Sequence, residues 1–222
     1  MARLLADLGG GGLRRGEGAT ALAAPCPTGL AEVDRLLGGG FPRGRLSEIT
    51  GPPSSGRTSL ALALLTATTR EGHLAAVLDG ADAFDPASAD AAGVVLERVL
   101  WARPPGLREA LRGAEHVLSA GGFALVLVDL THADAPPAAT AAWVRLRRLA
   151  AGRGAALVVL GRRRLADGLS DLALELDAAG AHFSPPARGQ PWLQGLEASV
   201  RLVRHRSGPA GRAAAVHWHA AA

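Results

Sequence analysis

The sequence predicts an α/β protein in which a mainly parallel sheet, flanked by helices, is extended by antiparallel strands at its C-terminal end. Short, continuously apolar segments such as Leu74–Asp79 alternate with segments of helical periodicity, which is typical of parallel strands buried on both faces. After residue 172 the pattern changes to the alternation of half-buried strands. Of the 222 residues, 48% are hydrophobic and 20% are charged, as expected for a globular domain.

The N-terminal half of the predicted core, from residue 28 to residue 102, alternates strands with helices. The first helix has apolar residues at helical spacing (Leu30, Val33, Leu36 and Leu37), and glycines 38 to 40 end it. The predicted strands are Arg45–Thr50, Leu74–Asp79 and Val99–Ala102, and the further helices are Thr58–Thr69 and Ala87–Ala92. This order is that of βαβ units.

The C-terminal half continues the alternation to residue 160 and then loses it. The predicted helices are Leu107–Leu118 and Ala138–Leu149, and the predicted strands are Ala124–Asp129 and Ala155–Leu160. In the tail, strand-like segments separated by turns cover Leu172–Leu176, Ala198–Arg204 and Ala213–Trp218. The tail therefore predicts an antiparallel extension of the sheet.

Composition restricts the class of protein. No segment approaches the roughly 18 consecutive apolar residues of a membrane span, and no signal peptide is evident, so we expect a cytoplasmic protein without a membrane partner. All 24 basic residues are arginine, a bias typical of GC-rich bacterial genomes, and the net charge of +4 permits contact with nucleic acid. Cys26 is the single cysteine, which excludes an intrachain disulfide, and we expect it near the surface.

The first 27 residues differ in character from the rest of the chain. They contain four consecutive glycines, at positions 9 to 12, and the basic pair Arg14 and Arg15. Such a segment is too polar and glycine-rich to pack alone. We therefore predict an N-terminal arm over residues 1–27 and one core domain over residues 28–222.

One segment carries a motif for binding phosphate. Residues 51–58, Gly-Pro-Pro-Ser-Ser-Gly-Arg-Thr, match G-x-x-x-x-G-K-[ST] at every fixed position except the lysine, which is Arg57. The glycines let backbone N–H groups close around phosphate oxygens at a helix start, and the Thr58 hydroxyl is placed to bind Mg²⁺. A later predicted strand ends in Asp129, the usual carboxylate near that ion. This context favours a phosphate loop over the alternative, an ordinary strand-to-helix turn.

The residues around this motif resemble the RecA core. The matching positions are Thr28-Gly29, Asp34, Leu37–Arg45, Glu48-Ile49, Gly51-Pro52, Ser54–Gly56, Thr58, Leu78-Asp79, Asp85-Pro86 and Asp129. They cover residues 13–130 well and the tail more weakly. The resemblance implies a RecA-like fold and a site for ATP and Mg²⁺. The residues implied in that site are Gly51, Ser54, Ser55, Gly56, Arg57, Thr58, Asp85 and Asp129, with Thr58 and Asp129 at the metal.

Among RecA-like families, the short length, divergent tail and altered loop look most like ImuA, an accessory protein of bacterial mutagenic repair in the SOS response. That resemblance implies a nucleoid-associated protein. It also implies docking with an ImuB-like homologue of Y-family polymerases, with an error-prone replicative-type polymerase and with RecA during translesion synthesis. The alternative is a working DNA repair ATPase, either a divergent recombinase or a KaiC-like protein. A division inhibitor, suggested by the SulA-like name sometimes given to such proteins, has no support from a phosphate loop.

Several positions depart from the RecA pattern. Arg57 retains a positive charge, but its planar fork does not reproduce the point contact of a lysine between two phosphates. The glutamate that activates water in RecA corresponds to Ala81, and we expect the following Asp82 to point elsewhere. Ser88 occupies the position of the RecA tyrosine that stacks on adenine. Leu130 occupies the position of the RecA serine that follows the aspartate near Mg²⁺. Because a general base contributes about 10²- to 10⁴-fold to the rate, we expect no efficient ATPase. Because Arg57 replaces the phosphate-binding lysine, we expect weak binding of ATP and Mg²⁺ at most, with neither required.

Arginine clusters are the candidates for DNA contact. The loops through which RecA tracks DNA are not recognisable after Asp129 or between Gly161 and Leu172. The triplet Arg162, Arg163 and Arg164 is suited to neutralise phosphates without base specificity, and the alternative is a solvated strand end. We therefore expect any DNA binding to be nonspecific and sensitive to salt.

Two pairs in the tail have spacing of interest. Arg204 and Arg206 resemble the basic pair through which one RecA subunit reaches its neighbour's nucleotide, which implies a partner or trans-nucleotide contact. The alternative is the polar face of an exposed edge strand. The arm of residues 1–27 resembles the arm through which one RecA-like subunit adds onto the next, which implies that it becomes ordered when it binds a partner. We expect Arg204, Arg206 and Arg57 to share the opposite surface. His217 and His219 have the spacing of a metal pair, but with no third ligand evident the favoured interpretation is a solvated C-terminus.

Overall fold

The computed structural model describes residues 24–132, 140–166, 168–184, 192–206 and 208–219. Within these ranges the strands are β1 (Leu46–Thr50), β2 (Leu74–Asp79), β3 (Val99–Ala102), β4 (Phe123–Asp129), β5 (Ala156–Gly161), β6 (Leu172–Phe183), β7 (Leu193–His205) and β8 (Ala213–His219). The helices are α1 (Ala31–Leu37), α2 (Arg57–Arg70), α3 (Pro86–Ala91), α4 (Leu107–Ala120) and α5 (Thr140–Arg153), and a 3₁₀ turn covers Leu96–Arg98. No helix in these ranges is long and apolar enough to cross a membrane.

The strands form one sheet in the order β3-β2-β4-β5-β1-β6-β7-β8. The neighbours from β3 to β6 are parallel, and β6, β7 and β8 pair in antiparallel fashion. This arrangement confirms the predicted fold class. It also makes neighbours of the carboxyl ends of β4, β5 and β1. Ligands of open α/β sheets bind beyond such ends, so this edge is where a site is expected.

Helices cover both faces of the sheet because successive strand residues point to opposite sides. In β5, Val158 and Leu160 pack into the core beneath α1 and α2, whereas Leu157 and Val159 pack into the core beneath α4 and α5. All four side chains are buried. Burial of each such side chain stabilises the fold by roughly 1.5–3 kcal/mol relative to exposure, and this double burial produces the continuous apolar runs in the sequence.

Most predicted elements agree with the observed ones to within one or two residues. α1 ends at Gly38, whose left-handed φ of 76° closes the helix as the glycine run predicted. The predicted start of α5 at Ala138 lies outside the described residues. β6 and β7 were predicted to be much shorter. Residues 177–183 of β6 are exposed, so they carry no apolar alternation that could have indicated a strand.

Cys26 lies in the core, which corrects the expectation of a surface position. Its backbone forms a two-way bridge with Phe41, with N–H to O distances of 2.8 and 2.7 Å. The bridge holds the residue beneath the sheet, and only 4% of it is exposed. The packed part of the chain therefore includes Cys26, two residues before the predicted domain boundary. Residues 1–23 of the predicted arm lie outside the described residues.

Burial makes the Cys26 thiol unreactive in the folded protein. Desolvation raises its pKa to about 11, so the thiolate that attacks a disulfide reagent is scarce at pH 8. We expect the thiol to react with Ellman's reagent at least about 10²-fold more slowly in the native chain than in guanidinium chloride. Because the chain has a single cysteine, the measured absorbance change reports this position alone. Equal rates in the two conditions would contradict the buried placement.

Candidate functional site

Residues 51–56, named the phosphate segment for the motif they carry, join β1 to α2 at the carboxyl edge of the sheet. Left-handed and right-handed backbone conformations alternate along this segment: Ser54 has φ 61° and Gly56 has φ 89°, whereas Ser55 between them has a negative φ. Ser55 N–H donates to the Pro52 carbonyl at 3.3 Å, which closes the turn. Such alternation makes consecutive N–H groups converge into a concave nest that suits an anion.

Two glycines of this segment are enforced by close neighbours. A Cβ atom at Gly51 would overlap the carbonyl oxygen of Leu176 in β6 and approach Ser55 Oγ to 2.6 Å. A Cβ at Gly56 would lie 2.7 Å from Cζ3 of Trp218 in β8. The segment is therefore enclosed by the C-terminal strands. The contribution of Trp218 could not be recognised from the sequence, because nothing in β8 marks it as a neighbour of residue 56.

The start of α2 supplies the positive end of this site. Thr58 is exposed in the first turn, and no acidic residue occupies that turn. The first N–H groups of a helix have no partner within it, and the helix dipole adds a partial positive charge there. Ser55 Oγ is also buried with no hydrogen-bond partner among the described residues. These donors make the segment suitable for phosphate oxygens.

Arg57 lies at the same edge but is bonded to the protein itself. It is 9% exposed, and its Nη1 donates to the Gly161 carbonyl at the end of β5 over 2.7 Å. Burial lowers the pKa of its guanidinium, the charge of Asp129 opposes this, and Arg162 lowers the pKa further. Arg57 thus places a charge beside the candidate phosphate site while bracing β5 against the start of α2.

Asp129 ends β4 and lies next to that charge. Its carboxylate accepts hydrogen bonds from the Thr131 N–H at 2.9 Å and from the Thr131 hydroxyl at 2.7 Å. Burial raises the pKa of Asp129; the Thr131 bonds oppose this, Asp79 raises the pKa further and Arg57 lowers it. A cation in front of the carboxylate would stabilise its charged form. The role of Thr131 was not predicted from the sequence. The signal was present, because an aspartate commonly accepts a hydrogen bond from the residue two positions later in a turn.

The carboxylates of Asp79, at the end of β2, and of Asp82, just after it, are both engaged within the protein. Asp79 accepts from the N–H groups of Ala83 and Phe84 at 2.9 and 3.0 Å. Ala81 is 8% exposed, so a buried methyl group occupies the position corresponding to the water-activating glutamate of RecA. Asp82 is exposed and pairs with Arg103, which follows the outer strand β3. Its side chain therefore points away from β4, as the sequence predicted.

Asp85, another predicted nucleotide contact, caps α3. Its carboxylate accepts from the Ser88 hydroxyl at 2.5 Å and from the Ala87 and Ser88 N–H groups. These hydrogen bonds lower the pKa of the Asp85 carboxyl group, and the bond from the Ser88 hydroxyl has the largest effect. β2, which leads to Asp85, is separated from β1 by β4 and β5. Capping of α3 is the contact that the structure shows for Asp85, and its contact with a nucleotide stays a prediction.

Within the arginine triplet after β5, Arg164 is engaged with the protein itself. Arg164 Nε lies 3.5 Å from Oε2 of Glu48, a buried residue of β1. The other oxygen of that carboxylate accepts the N–H groups of Leu165 and Ala166 at 2.6 and 2.9 Å. Arg164 therefore balances a buried charge. Arg162 is exposed near the phosphate segment, and DNA contact by the triplet stays a prediction.

Arg204 and Arg206 lie at the other edge of the sheet. β6 begins at Leu172, which pairs with His205 on one side and with the second residue of β1 on the other. The phosphate segment leaves β1 at its opposite end. The expectation that this pair shares a surface with Arg57 is therefore wrong, because β7 runs antiparallel to β6 and returns the chain to the amino edge.

A buried carboxylate holds this second edge together. Asp171 is 5% exposed and faces three arginines, Arg206 at 3.0 Å, Arg147 at 3.4 Å and Arg45 at 3.9 Å. Three positive charges around one negative charge leave this edge basic. Arg204 is half-buried, and its Nε has no hydrogen-bond partner among the described residues.

A β1–loop–α2 unit of this geometry, in a sheet with this strand order, defines an α/β protein of the phosphate-loop class. The chain belongs to the RecA family: the sequence model of the RecA N-terminal domain matches residues 7–167.

The relatives agree with this assignment. RecA of Picosynechococcus sp. is 37% identical over 126 residues, which are 57% of this chain and 36% of that protein. RecA of Rubrobacter xylanophilus is 40% identical over 127 residues, 57% of this chain and 37% of that protein. The chain thus spans about a third of the length of the RecA proteins it matches. A crystal structure of the RadB recombinase is similar with a TM-score of 0.65 at 24% identity, over 86% of this chain and 94% of that one, which shows the same fold.

The close approach of β6 to the phosphate segment can be measured as stability. We expect Gly72→Ala, at an open position with φ 88°, to destabilise the protein by about 1–2 kcal/mol through its left-handed conformation alone. Gly51→Ala combines a φ of 154°, which side-chain-bearing residues also rarely adopt, with the overlap with the Leu176 carbonyl, and we expect it to cost about 1–3 kcal/mol more than Gly72→Ala. Urea denaturation of both variants gives the difference. Equal destabilisation of the two variants would show that β6 moves away from residue 51 at no cost in free energy.

Proposed function

We propose that this chain is a noncatalytic or weakly catalytic RecA-like accessory factor of DNA damage tolerance, resembling ImuA. One observation carries the proposal: buried Ala81 stands where a RecA protein needs a carboxylate to activate water, and the nearby carboxylates of Asp79 and Asp82 are bonded elsewhere. A general base is worth about 10²- to 10⁴-fold in rate. A protein of this family without that base is better suited to bind partners than to turn over ATP.

The phosphate segment supports the same proposal. Arg57 already donates one N–H of Nη1 to the Gly161 carbonyl, so the orientation of its guanidinium is partly fixed by the protein itself. A guanidinium and an ammonium also differ in shape and hydration. Weak binding of ATP with Mg²⁺ near Thr58 and Asp129 is compatible with the proposal, and neither ligand is required by it.

The competing function is an active RecA- or KaiC-like ATPase of DNA repair. It is favoured by one observation, that Thr58 is exposed in the first turn of α2 while Asp129 lies at the same edge of the sheet, at the end of β4, with β5 between β4 and β1. Those two residues are the partners Mg²⁺ needs in phosphate-loop enzymes. The two functions differ in turnover.

We expect ATP turnover at least about 10²-fold below that of an active RecA assayed in parallel with single-stranded DNA, because the general base is missing. A coupled steady-state assay measures it, with Thr58→Ala as the control for contaminating ATPase. Turnover of the parent equal to that of Thr58→Ala is the expected result. Turnover that approaches RecA and is abolished by Thr58→Ala would establish the competing function.

The two edges of the sheet suggest how such a factor docks. The phosphate segment lies at the carboxyl edge, and the basic group around Asp171 lies at the amino edge. A subunit that presents different surfaces at opposite ends associates head to tail. We propose that the chain joins RecA in this manner, with Arg204 and Arg206 reaching the neighbour's nucleotide site, and that it holds an ImuB-like subunit and an error-prone replicative-type polymerase there. Contact with DNA would be nonspecific and sensitive to salt.

The structure indicates which variants test docking without unfolding the chain. After removal of Arg206, Asp171 retains Arg147 and Arg45, so its buried charge stays balanced. Truncation of the arm should stop at residue 23, since Cys26 belongs to the core. Arg201 offers a matched control on β7, because it is exposed and pairs only with the surface carboxylates Glu175 and Asp177 among the described residues.

We expect Arg204→Ala/Arg206→Ala, or deletion of residues 1–23, to weaken binding to RecA or to the ImuB-like partner at least about tenfold, as loss of a charged anchor does. Arg201→Ala should bind as the parent does. Biolayer interferometry with each purified partner measures the constants, and circular dichroism verifies the fold. If both variants bind both partners like the parent, the docking surfaces lie elsewhere.

A further inference from the structure

We propose that the outer part of the β6–β8 sheet binds a Zn²⁺ ion through His182, Glu197 and His217. These residues come from β6, β7 and β8 in turn. Their ligand atoms all lie within 4.8 Å of one another. Of the residues that the structure describes, these three form the one such set of histidines and carboxylates. The inference is independent of the proposed function.

Strand register places the three side chains on one face. Glu197 pairs directly with His217, so both point to the same side. β6 contains a bulge: Ala178 pairs with Ala198, but Gly180 pairs with Glu197, which leaves one extra residue between them. The extra residue moves each later side chain of β6 to the opposite face of the sheet from the one it would otherwise occupy. Without the bulge, His182 would face away from Glu197; with it, the imidazole and the carboxylate share a face.

Glycines keep the space between the ligands open. The β6 residue opposite Glu197 is Gly180, and the β7 residue opposite His182 is Gly195. A Cβ added at Gly180 would lie 3.8 Å from Oε2 of Glu197. A larger side chain there would occupy the volume into which the carboxylate extends. The carboxylate is thus free to lie diagonally between the two imidazoles.

The distances suit a tetrahedral ion. His182 Nε2 lies 3.6 Å from Oε2 of Glu197, and His217 Nε2 lies 3.7 Å from Oε1. With bonds of about 2.0–2.1 Å, the ligand atoms of tetrahedral Zn²⁺ are separated by about 3.3 Å. Because the three ligand atoms all lie within 4.8 Å of one another, side-chain rotations that move them by up to about 1.5 Å would complete the geometry. Two imidazoles and a carboxylate are a common zinc set, and the remaining position would hold water.

The position of the site gives it a structural role. Residues 177–183 of β6 are exposed, so this part of the sheet has little apolar core to stabilise it. An ion held by three adjacent strands cross-links them. The site faces away from the phosphate segment, because Trp218, which contacts Gly56, alternates with His217 along β8. Zn²⁺ here would therefore stabilise the extension without competing for the phosphate site.

Isothermal titration calorimetry of the untagged, EDTA-treated full chain with ZnCl₂ tests the proposal. We expect one Zn²⁺ per chain. Loss even of a residue that orients a ligand commonly costs about 10- to 100-fold in metal affinity, so His182→Gln, Glu197→Gln and His217→Gln should each weaken binding at least about tenfold. His116→Gln, an exposed histidine on α4, is the matched control and should bind like the parent.

A second measurement separates a zinc site from simple imidazolium–carboxylate pairs. Hydrogen exchange of the amides in residues 177–183 and 193–197 should slow on addition of Zn²⁺ in the parent, and should not respond in Glu197→Gln. Zinc binding that is equally strong in all three variants, or absent from the parent, would overturn the proposal. So would exchange that ignores Zn²⁺ in the parent.

Discussion

The backbone of β6 passes so close to the end of β1 that residue 51 has no room for a side chain. The phosphate segment begins at that contact, and its last glycine is in turn covered by Trp218 of β8. The strands that diverge most in sequence from RecA thus form part of the wall around the most RecA-like segment. Changes in the tail therefore act directly on the shape of the phosphate segment, although they lie more than 100 residues away in the chain.

The charged groups at the carboxyl edge of the sheet are engaged with one another and with the protein backbone. Arg57 and Asp129 are both largely buried and compensate each other, while the carboxylates after β2 bond to backbone N–H groups or to Arg103. Buried charges persist only when paired, so each of these contacts limits what the group can do for a ligand. The opposite edge, with three arginines around Asp171, keeps an excess of positive charge.

The sequence predicted the parallel half of the sheet because β2, β4 and β5 are buried on both faces and leave continuous apolar runs. It predicted the phosphate segment because glycine and hydroxyl positions are fixed by backbone geometry. It could not predict the length of β6, whose outer half is exposed, or the side on which Arg204 emerges, which depends on strand direction. The cluster at His182 depends on a one-residue bulge in β6. The face to which His182 points therefore follows from its pairing with β7 and could not be predicted from the sequence of β6 alone.

The central position of β1 has a consequence for biosynthesis. Its partners are β5 and β6, and Leu46 pairs with Leu157, more than 100 positions further along the chain. On the ribosome, both edges of this strand therefore stay without partners until most of the core has been synthesised. Sheets closed by such distant pairings fold slowly and expose aggregation-prone edges meanwhile. Yield of the folded chain should thus depend on translation rate and on chaperones that shield nascent strands.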